Sequence, residues 1–351
     1  MDYLTTKFKP VHAQDNILIN GGVCPDPHLA ETICNLSFGE RLEQNGRLIA
    51  LRTDRPYEQT ALDSTGSSKT EYAGEICIVE RPWDIFLLNG EQIRIDFDLI
   101  TKNRQSQQIN DPYTRVYNPE NIFIEPGVKI KAAILNAENG PIYLGKDANV
   151  EEGAVVRGPF SLGELSTVNA NARMRGDITV GPHCRVGGEV SNSVLFGYTN
   201  KGHDGFLGNS VLGEWCNIGA DTNISNLKNN YAKVKVWDFK KNGFIDSGQQ
   251  FCGLLMGDHS KTGINTMFNT GTIVGVAANI FGSGFPRTFI PSFSWGGAGG
   301  FSTFKMNKVK EMAHTSMARR NGEFDAEEEA ILQAVYDKTA HYRVWDKSNK
   351  A

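Results

Sequence analysis

A period of six residues dominates the middle of this sequence. From Leu144 to Val186, an aliphatic or methionine side chain returns at every sixth position: Leu144, Val150, Val156, Leu162, Val168, Met174, Val180 and Val186. With 40% hydrophobic residues, eight such matches in a row have a chance probability of roughly 10⁻³ in one register. The period resumes at Leu212 and again from Met256 to Ile280, where only Thr262 is not apolar. The pattern predicts a solenoid in which one side chain per repeat points to the axis.

Two neighbouring positions of the repeat support this interpretation. The residue after the apolar one is glycine in nine of the sixteen repeats, which suits a corner where a side chain would crowd the turn. The fifth position carries mostly small residues, such as Ala148, Ala154 and Cys184. The predicted fold is therefore mainly β, a parallel β-helix whose coils each contain three short strands. The pattern is typical of left-handed β-helices, and the left hand follows from that resemblance, since a period of six does not dictate it.

The sequence divides into three predicted regions. Residues 1–117 show strand-like runs such as Arg47-Leu-Ile-Ala-Leu-Arg52 and a helix opened by Asp26-Pro27, so they predict an α/β domain. Residues 118–300 form the β-helix. Residues 301–351 hold two helices, of which the second starts at Asp325, in a pattern like a capping box.

Composition and charge exclude several classes of partner. The formal net charge of −4 argues against nucleic acid or an anionic membrane as the main partner. No apolar run is long enough to span a bilayer, and the first ten residues lack a hydrophobic signal core, so we expect a cytoplasmic protein. The six cysteines form no C-x-x-C pair and are expected to be reduced thiols. Since solenoids of this kind associate about a three-fold axis, we expect a homotrimer.

One histidine stands apart from the repeat. His203 lies between Gly202 and Gly205, in a segment where the register of the hexapeptides shifts, and a flexible backbone there would hold an imidazole over the flank of the solenoid. His183 and His259 occupy equivalent turn positions, and both are predicted to be exposed. Loops that leave a regular repeat often carry function, so the register shift is the first candidate site.

The residues around His203 carry a family resemblance. Residues 202–226, GHDGFLGNSVLGEWCNIGADTNISN, resemble the active-site stretch of the acetyltransferase domain of the bifunctional glucosamine-1-phosphate acetyltransferase/N-acetylglucosamine-1-phosphate uridyltransferase. The chain as a whole resembles bacterial sugar nucleotidyltransferases, which join a nucleotidyltransferase-like domain to such a β-helix and a helical tail. The resemblance implies an acyl-CoA-dependent acyltransferase acting on an amino sugar phosphate or a nucleotide sugar.

The same resemblance implies roles for individual residues. His203 falls on the general base, and a neutral imidazole can take a proton from a sugar amine as the amine attacks acetyl-CoA, the co-substrate. No metal is implied at this site. Arg175 falls near an arginine that clamps a sugar phosphate. The substrate-binding set is Arg175, Lys201, Asn217, Asn226 and Lys228, and the set lining the CoA groove is Ala220, Ile264, Gly282 and Arg287.

The sequence also departs from the family pattern. Ser191 stands where the family has a substrate-binding lysine, and Phe206 replaces a tyrosine. Residues 1–60 contain no glycine-rich loop followed by a basic residue, and Gly21-Gly22 is interpreted as an ordinary turn. The first domain is therefore expected to be incomplete or a degenerate scaffold. Mg²⁺ would bind only if that domain is active, with Asp84 and Asn89 as weak candidates.

Two alternatives to the acyltransferase stay open at this point. The first domain could transfer a nucleotidyl group to a sugar 1-phosphate, as the family resemblance suggests. The chain could also be a trimeric β-helix binding module without chemistry. A zinc site built from His183, His203 and His259 is disfavoured, because the three lie at unlike positions of the repeat.

Overall fold

The computed structural model describes residues 4, 7–8, 13–54 and 68–346, in two compact units, Met1–Arg81 and Pro82–Ala351. In the first unit, a four-stranded sheet has the order Asn16–Ile19, Arg47–Thr53, Glu40–Gln44 and Ser68–Glu71, and Val23–Cys24 pairs with Cys77–Ile78. Helix α1, Pro27–Cys34, begins at Asp26, whose carboxylate accepts a hydrogen bond from the Leu29 N–H at 2.7 Å.

The second unit is a parallel β-solenoid, as predicted, with three ladders of short strands. The axial residues Val150, Val168 and Val186 are fully buried, because each stacks on its counterpart in the next coil. The left hand stays a prediction. The first ladder contains Arg115–Tyr117, Ile134–Asn136, Val155–Arg157, Arg173–Met174, Glu189–Leu195 and Phe206–Leu212, and Asn223–Ile224 pairs with Met267–Phe268 as a separate two-stranded sheet. The second contains Ile122–Ile124, Ile142–Leu144, Phe160–Leu162, Ile178–Val180, the ends of Glu189–Leu195 and Phe206–Leu212, Leu254–Met256, Thr272–Val274 and Phe289–Ile290. The third contains Lys129–Ile130, Asn149–Val150, Thr167–Val168, Arg185–Val186, Asn200–Lys201, Lys261–Thr262, Asn279–Ile280 and Ser294–Gly297, which pairs with Gly300–Thr303.

The register shift near His203 comes mainly from the shortening of one coil, and the next coil is one residue short between Leu207 and Leu212. The inward side chains there are Val186, Val190, Leu195 and Lys201, so the spacing falls from six to four and five before it returns to six. Strand Glu189–Leu195 consequently belongs to both the first and the second ladder. Gly188 sits at the shortened corner with φ +67°, and a Cβ there would lie 2.7 Å from the His203 carbonyl oxygen. The turn that carries His203 therefore packs directly on the shortened corner.

Helix α2, Asp84–Thr101, belongs to the solenoid unit and not to the first one. It packs against strands Ile178–Val180 and Glu189–Leu195. The Asn89 side chain donates to the Asp177 carbonyl at 2.8 Å and accepts from the Thr179 hydroxyl at 2.7 Å. The predicted boundary at 117/118 is thus replaced by one at 81/82, because this helix buries its apolar face on the coils. The Asn89 amide is used in this packing, which explains its burial without a metal.

The chain beyond the solenoid forms two helices, as predicted. Helix α3 is Met306–Ala318 and α4 is Ala326–Lys338, which begins at Asp325 with its carboxylate accepting from the Glu328 N–H at 2.8 Å. Single 3₁₀ turns lie at Pro119–Asn121 and Ala340–Tyr342, and a hairpin of Lys235–Asp238 and Gly243–Asp246 fills the insertion. Across the described ranges, no helix combines the length and the apolar character needed to cross a bilayer.

Candidate active site

One outward column of the third ladder forms the floor of the candidate site. The residue before each inward position faces away from the axis, and parallel pairing joins these residues in unbroken order through the later coils. We call this column the outward ladder. Its members are Arg185, Asn200, Asn217, Lys261, Asn279 and Trp295.

Helix α3 lines the opposite side and encloses two adjoining cavities. The first, here the basic groove, has a volume of about 710 Å³ and is bounded by the first four members of the outward ladder and by Arg319 and Arg320 after α3. The second, the apolar groove, has about 650 Å³ and is lined by Trp295, Phe304 and Met312. Lys261 and Ser316 line both cavities, so the two grooves adjoin.

The charge in the basic groove has a single sign. Arg185, Lys261, Arg319 and Arg320 line it, and none of the described residues that bound it is acidic. Arg320 donates to the Asn200 side-chain oxygen at 2.9 Å and to the His183 carbonyl at 3.4 Å. Burial lowers the pKa of Arg320 and of Lys261 below their ordinary values, since both cations are partly withdrawn from water. An anion with several oxygens, such as a phosphate, would neutralise this charge.

His203 lies at one end of the basic groove on a turn whose backbone is held from several sides. The Gly202 carbonyl accepts from the Asn169 side chain at 2.7 Å, and the Asp204 carbonyl accepts from the Asp221 N–H at 3.0 Å. Gly205, with φ +110°, could not carry a Cβ, which would lie 2.2 Å from the Thr222 carbonyl oxygen. The imidazole is exposed, lines the groove and hydrogen-bonds to none of the described residues. A fixed backbone thus presents a ring that is available to a ligand.

The structure brings together four of the residues singled out from the sequence. His203, Asn217, Ala220 and Ile264 all line the basic groove. Ile264 exposes 71% of its surface, which is unusual for an isoleucine and places an apolar side chain at the rim. Their roles as base, substrate ligand and CoA contacts stay predictions.

Lys201 does not lie at the groove surface. It occupies an inward position of the solenoid, is 1% exposed, and its ammonium group donates to the His203 carbonyl at 2.5 Å. The prediction that it binds substrate is corrected on this ground, because a side chain enclosed in the core cannot reach a ligand in the groove. The shortened coil moved this lysine into the axial column.

The other predicted binding residues lie outside the basic groove. Arg175 pairs with Glu189 at 2.8 Å, and this arginine lowers the pKa of the carboxylate. The Asn226 side chain donates to Asn209 at 2.8 Å, and the Lys228 ammonium donates to the Lys233 carbonyl at 2.9 Å. Arg287 lines a separate aromatic cavity with Trp237 and Tyr342, and Gly282 is an exposed turn residue that lines neither groove.

The cations of the basic groove were not predicted from the sequence. Arg185 and Lys261 share the outward slot of the third ladder with Asn217, so a search of that slot would have found them. Arg319 and Arg320 carry no such signal, because their position depends on how α3 packs on the coils.

The two turn histidines flank an aromatic stack. His183, Tyr198, Trp215 and His259 lie in near-parallel order, with ring centroids 4.6, 4.1 and 6.3 Å apart. The prediction that His259 is exposed was wrong, since it is 4% exposed at the end of this stack, and His183 is half-buried. No group of three or more metal-ligating side chains exists within the described part of the chain.

The fold and the site define a hexapeptide-type parallel β-solenoid protein with a basic groove on one flank. Residues 1–105 match the sugar nucleotidyl transferase family. A bifunctional sugar-1-phosphate nucleotidylyltransferase/acetyltransferase of Sulfurisphaera tokodaii is 34% identical over 160 residues, which are 45% of this chain and 37% of that protein. The bifunctional protein GlmU of Methanocaldococcus jannaschii is 37% identical over 87 residues, 25% of this chain and 21% of that protein. These matches confirm the resemblance that the motifs indicated.

The compared proteins are matched only in part. The chain spans well under half the length of both curated relatives. Among solved structures, a hexapeptide transferase family protein from Anaplasma phagocytophilum aligns with a TM-score of 0.30 and 14% identity, over 64% of this chain and 92% of that one. A superposition this weak carries no functional argument.

Proposed function

We propose that the chain is an acyl-CoA-dependent acyltransferase that acts on an amino sugar phosphate or a nucleotide sugar, with His203 as the general base. One observation carries this proposal. An exposed imidazole on a rigid turn lies at the end of a groove that has four cations and no acidic side chain among its described lining residues. The acetyltransferase named among the curated relatives supports the same reaction class.

The chemistry needs a proton acceptor and a leaving thiol. His203 takes a proton from the attacking amine as the new N–C bond forms at the thioester carbonyl. The C–S bond then breaks, and the imidazolium returns the proton to the departing thiolate. The acyl group moves directly from sulfur to nitrogen, so no acyl-enzyme and no cysteine nucleophile is required.

The groove suits both substrates by charge and shape. Phosphate groups of CoA or of a sugar phosphate would be bound by Arg185, Arg319 and Arg320, which take over the role first assigned to Arg175 and Arg287. The adjoining apolar groove, with Trp295 and Met312, offers room for the uncharged part of a long ligand. Asn217 would contact the sugar. Acetyl is the acyl group that we propose.

The test is release of free thiol from acetyl-CoA, measured with a panel of amino sugar phosphates and nucleotide amino sugars. Removing a general base is expected to lower kcat/KM by about 10²- to 10⁴-fold in His203→Ala. His314→Ala is the matched control, because this histidine is exposed on α3 and lines neither groove. No thiol release with any acceptor, or equal rates for wild type and His203→Ala, would refute the proposal.

A second candidate is nucleotidyl transfer to a sugar 1-phosphate, favoured by the family match over residues 1–105. In the described part of the first unit, Gly22 lies in a tight turn, where a Cβ would be 2.8 Å from the Val79 carbonyl oxygen. Close packing in this turn thus accounts for the glycine, without a role in binding a triphosphate. Release of pyrophosphate from UTP or dTTP with a sugar 1-phosphate and Mg²⁺ would establish this second activity.

We also propose that the protein works as a homotrimer in the cytoplasm. The exposed Ile264 at the rim of the basic groove supports a contact with a neighbouring copy at this edge. A trimeric module that binds a sugar phosphate without transferring an acyl group would show binding but no thiol release.

A further inference from the structure

Lys201 is a charged side chain in a column of apolar ones. In the axial column of the third ladder it stacks between Val186 in the preceding coil and Ile218 in the following coil. It is among the largest fully buried side chains of the described chain. A buried ammonium is costly unless its donors are satisfied, so an aliphatic residue would suit the packing better.

The ammonium of Lys201 is satisfied by backbone carbonyls. It donates to the His203 oxygen at 2.5 Å, to the Gly187 oxygen at 3.2 Å and to the Asp204 oxygen at 3.4 Å. Two of these carbonyls belong to the turn that presents the candidate base, and the third belongs to the shortened corner on which that turn packs. One side chain therefore ties the two layers together from inside the solenoid.

The local backbone explains why the corner and the turn need a hydrogen-bond donor from inside the solenoid. The corner at Gly187 and Gly188 is two residues shorter than a regular hexapeptide corner, and the His203 carbonyl is directed inward over it. Without the Lys201 ammonium, the His203 carbonyl would lose this hydrogen bond. Glycines at 202 and 205 leave the turn few side chains of its own to hold it.

We propose that Lys201 is a positioning residue, which fixes the turn Gly202–Gly205 from the core so that the His203 imidazole stays at the end of the basic groove. The function of the turn in this inference rests on the proposed acyl transfer, whereas the bracing of the turn does not. Lys201 touches no ligand and exchanges no proton with substrate.

The charge of this lysine depends on pH. Burial lowers its pKa to about 8, against the attraction of Asp204 and Asp221 and with repulsion from Arg173. The ammonium form is present below that pKa and is lost as the pH rises through it. The charge-assisted hydrogen bonds of Lys201 are therefore fully present well below about pH 8 and weaken as the pH rises through that value.

The test compares Lys201→Met with wild type, with Ile280→Met as the matched control, because Ile280 is a buried residue of the same axial column that lines neither groove. Methionine fills the column without a buried charge but leaves three carbonyls without their donor, so the two effects oppose each other and Lys201→Met should unfold at a temperature near that of wild type. Amide hydrogens of residues 203–206 should exchange at least about tenfold faster in this variant, and kcat should fall about tenfold with little change in KM. Ile280→Met should change neither exchange in the turn nor kcat.

The outcomes separate the two hypotheses. Unchanged exchange at residues 203–206 in Lys201→Met would overturn the bracing, whatever the activity. Faster exchange with unchanged kcat would overturn the positioning role. Faster exchange in a protein whose wild type releases no thiol would refute the proposed function and leave the bracing standing. If the methionine variant does not fold, Lys201→Gln is tested by the same measurements.

Discussion

At the scale of single residues, Arg320 is a groove cation whose orientation is fixed by two hydrogen bonds. Its guanidinium bonds to the Asn200 side chain and the His183 carbonyl, so its direction into the groove is set before a ligand arrives. We expect Arg320→Met to raise KM for the phosphorylated substrate about tenfold or more, with a smaller change in kcat, because a charge-assisted hydrogen bond is lost. Steady-state kinetics of thiol release would measure it.

Arg287→Met is the control for this prediction. Arg287 lines the separate aromatic cavity and neither of the two grooves. Its replacement should leave KM within about twofold. An effect equal to that of Arg320→Met would contradict the placement of the phosphate site in the basic groove.

The buried cysteines make a second prediction at this scale. Burial raises the pKa of Cys184, Cys216 and Cys252 to about 12, so at pH 8 nearly every molecule carries them as unreactive thiols. Cys34 is exposed. Native protein treated with iodoacetamide at pH 8 should be alkylated at Cys34 and not at these three, as read by peptide mass spectrometry. Alkylation of any of the three before denaturant is added would show that the coils open in the native state.

At the scale of elements, a comparison of two glycines separates backbone strain from steric conflict with a neighbouring coil. Both glycines have a positive φ, but only one of them has a close neighbour. Gly205 has φ +110° and a Cβ there would meet the Thr222 carbonyl, whereas Gly282 has φ +101° and open space around it. Alanine strains both positions, but only Gly205→Ala must also displace the turn of His203. We expect Gly205→Ala to melt about 5 °C below Gly282→Ala in calorimetry. Equal melting temperatures would show that the turn is not tightly packed on its neighbouring coil.

The coils were predictable from sequence because each position of the repeat has one physical role. Axial residues such as Val150 and Val168 are apolar since they must be buried, and this recurs wherever the period is kept. The register shift was visible in the sequence, but the residues that take the inward positions of the shortened coil were not predictable, because a corner can lose residues without changing what the axis requires. Lys201 is an example. Its position in the motif predicted contact with substrate, whereas strand pairing with Val186 places it in the axial column.

At the scale of the whole molecule, one part of the candidate site was predictable from the sequence and the other part was not. His203, Asn217, Ala220 and Ile264 lie in motifs that the sequence itself displays, and the structure places them in one groove. The other wall comes from the end of α3, more than a hundred residues from His203. Which flank of a solenoid a later helix covers depends on long-range packing, such as that of Val309 and Ala313 against Phe293, and no period encodes it.

The proposed trimer is tested by mass in solution. Light scattering on the full chain should give three times the mass of 38.7 kDa for one chain. Ile264→Glu should reduce that mass, because a charge would be buried at the rim of the groove if a neighbouring copy covers it. A monomeric wild type would exclude the assembly.

The proposed acyl transfer requires that the acyl donor binds in the basic groove. A crystal structure of the protein with CoA tests this directly. We expect the phosphate groups of CoA to contact at least two of the four groove cations and its sulfur to lie on the side of the turn that carries His203. CoA bound only elsewhere, or no binding at saturating concentration, would contradict the assignment of this groove as the site of acyl transfer.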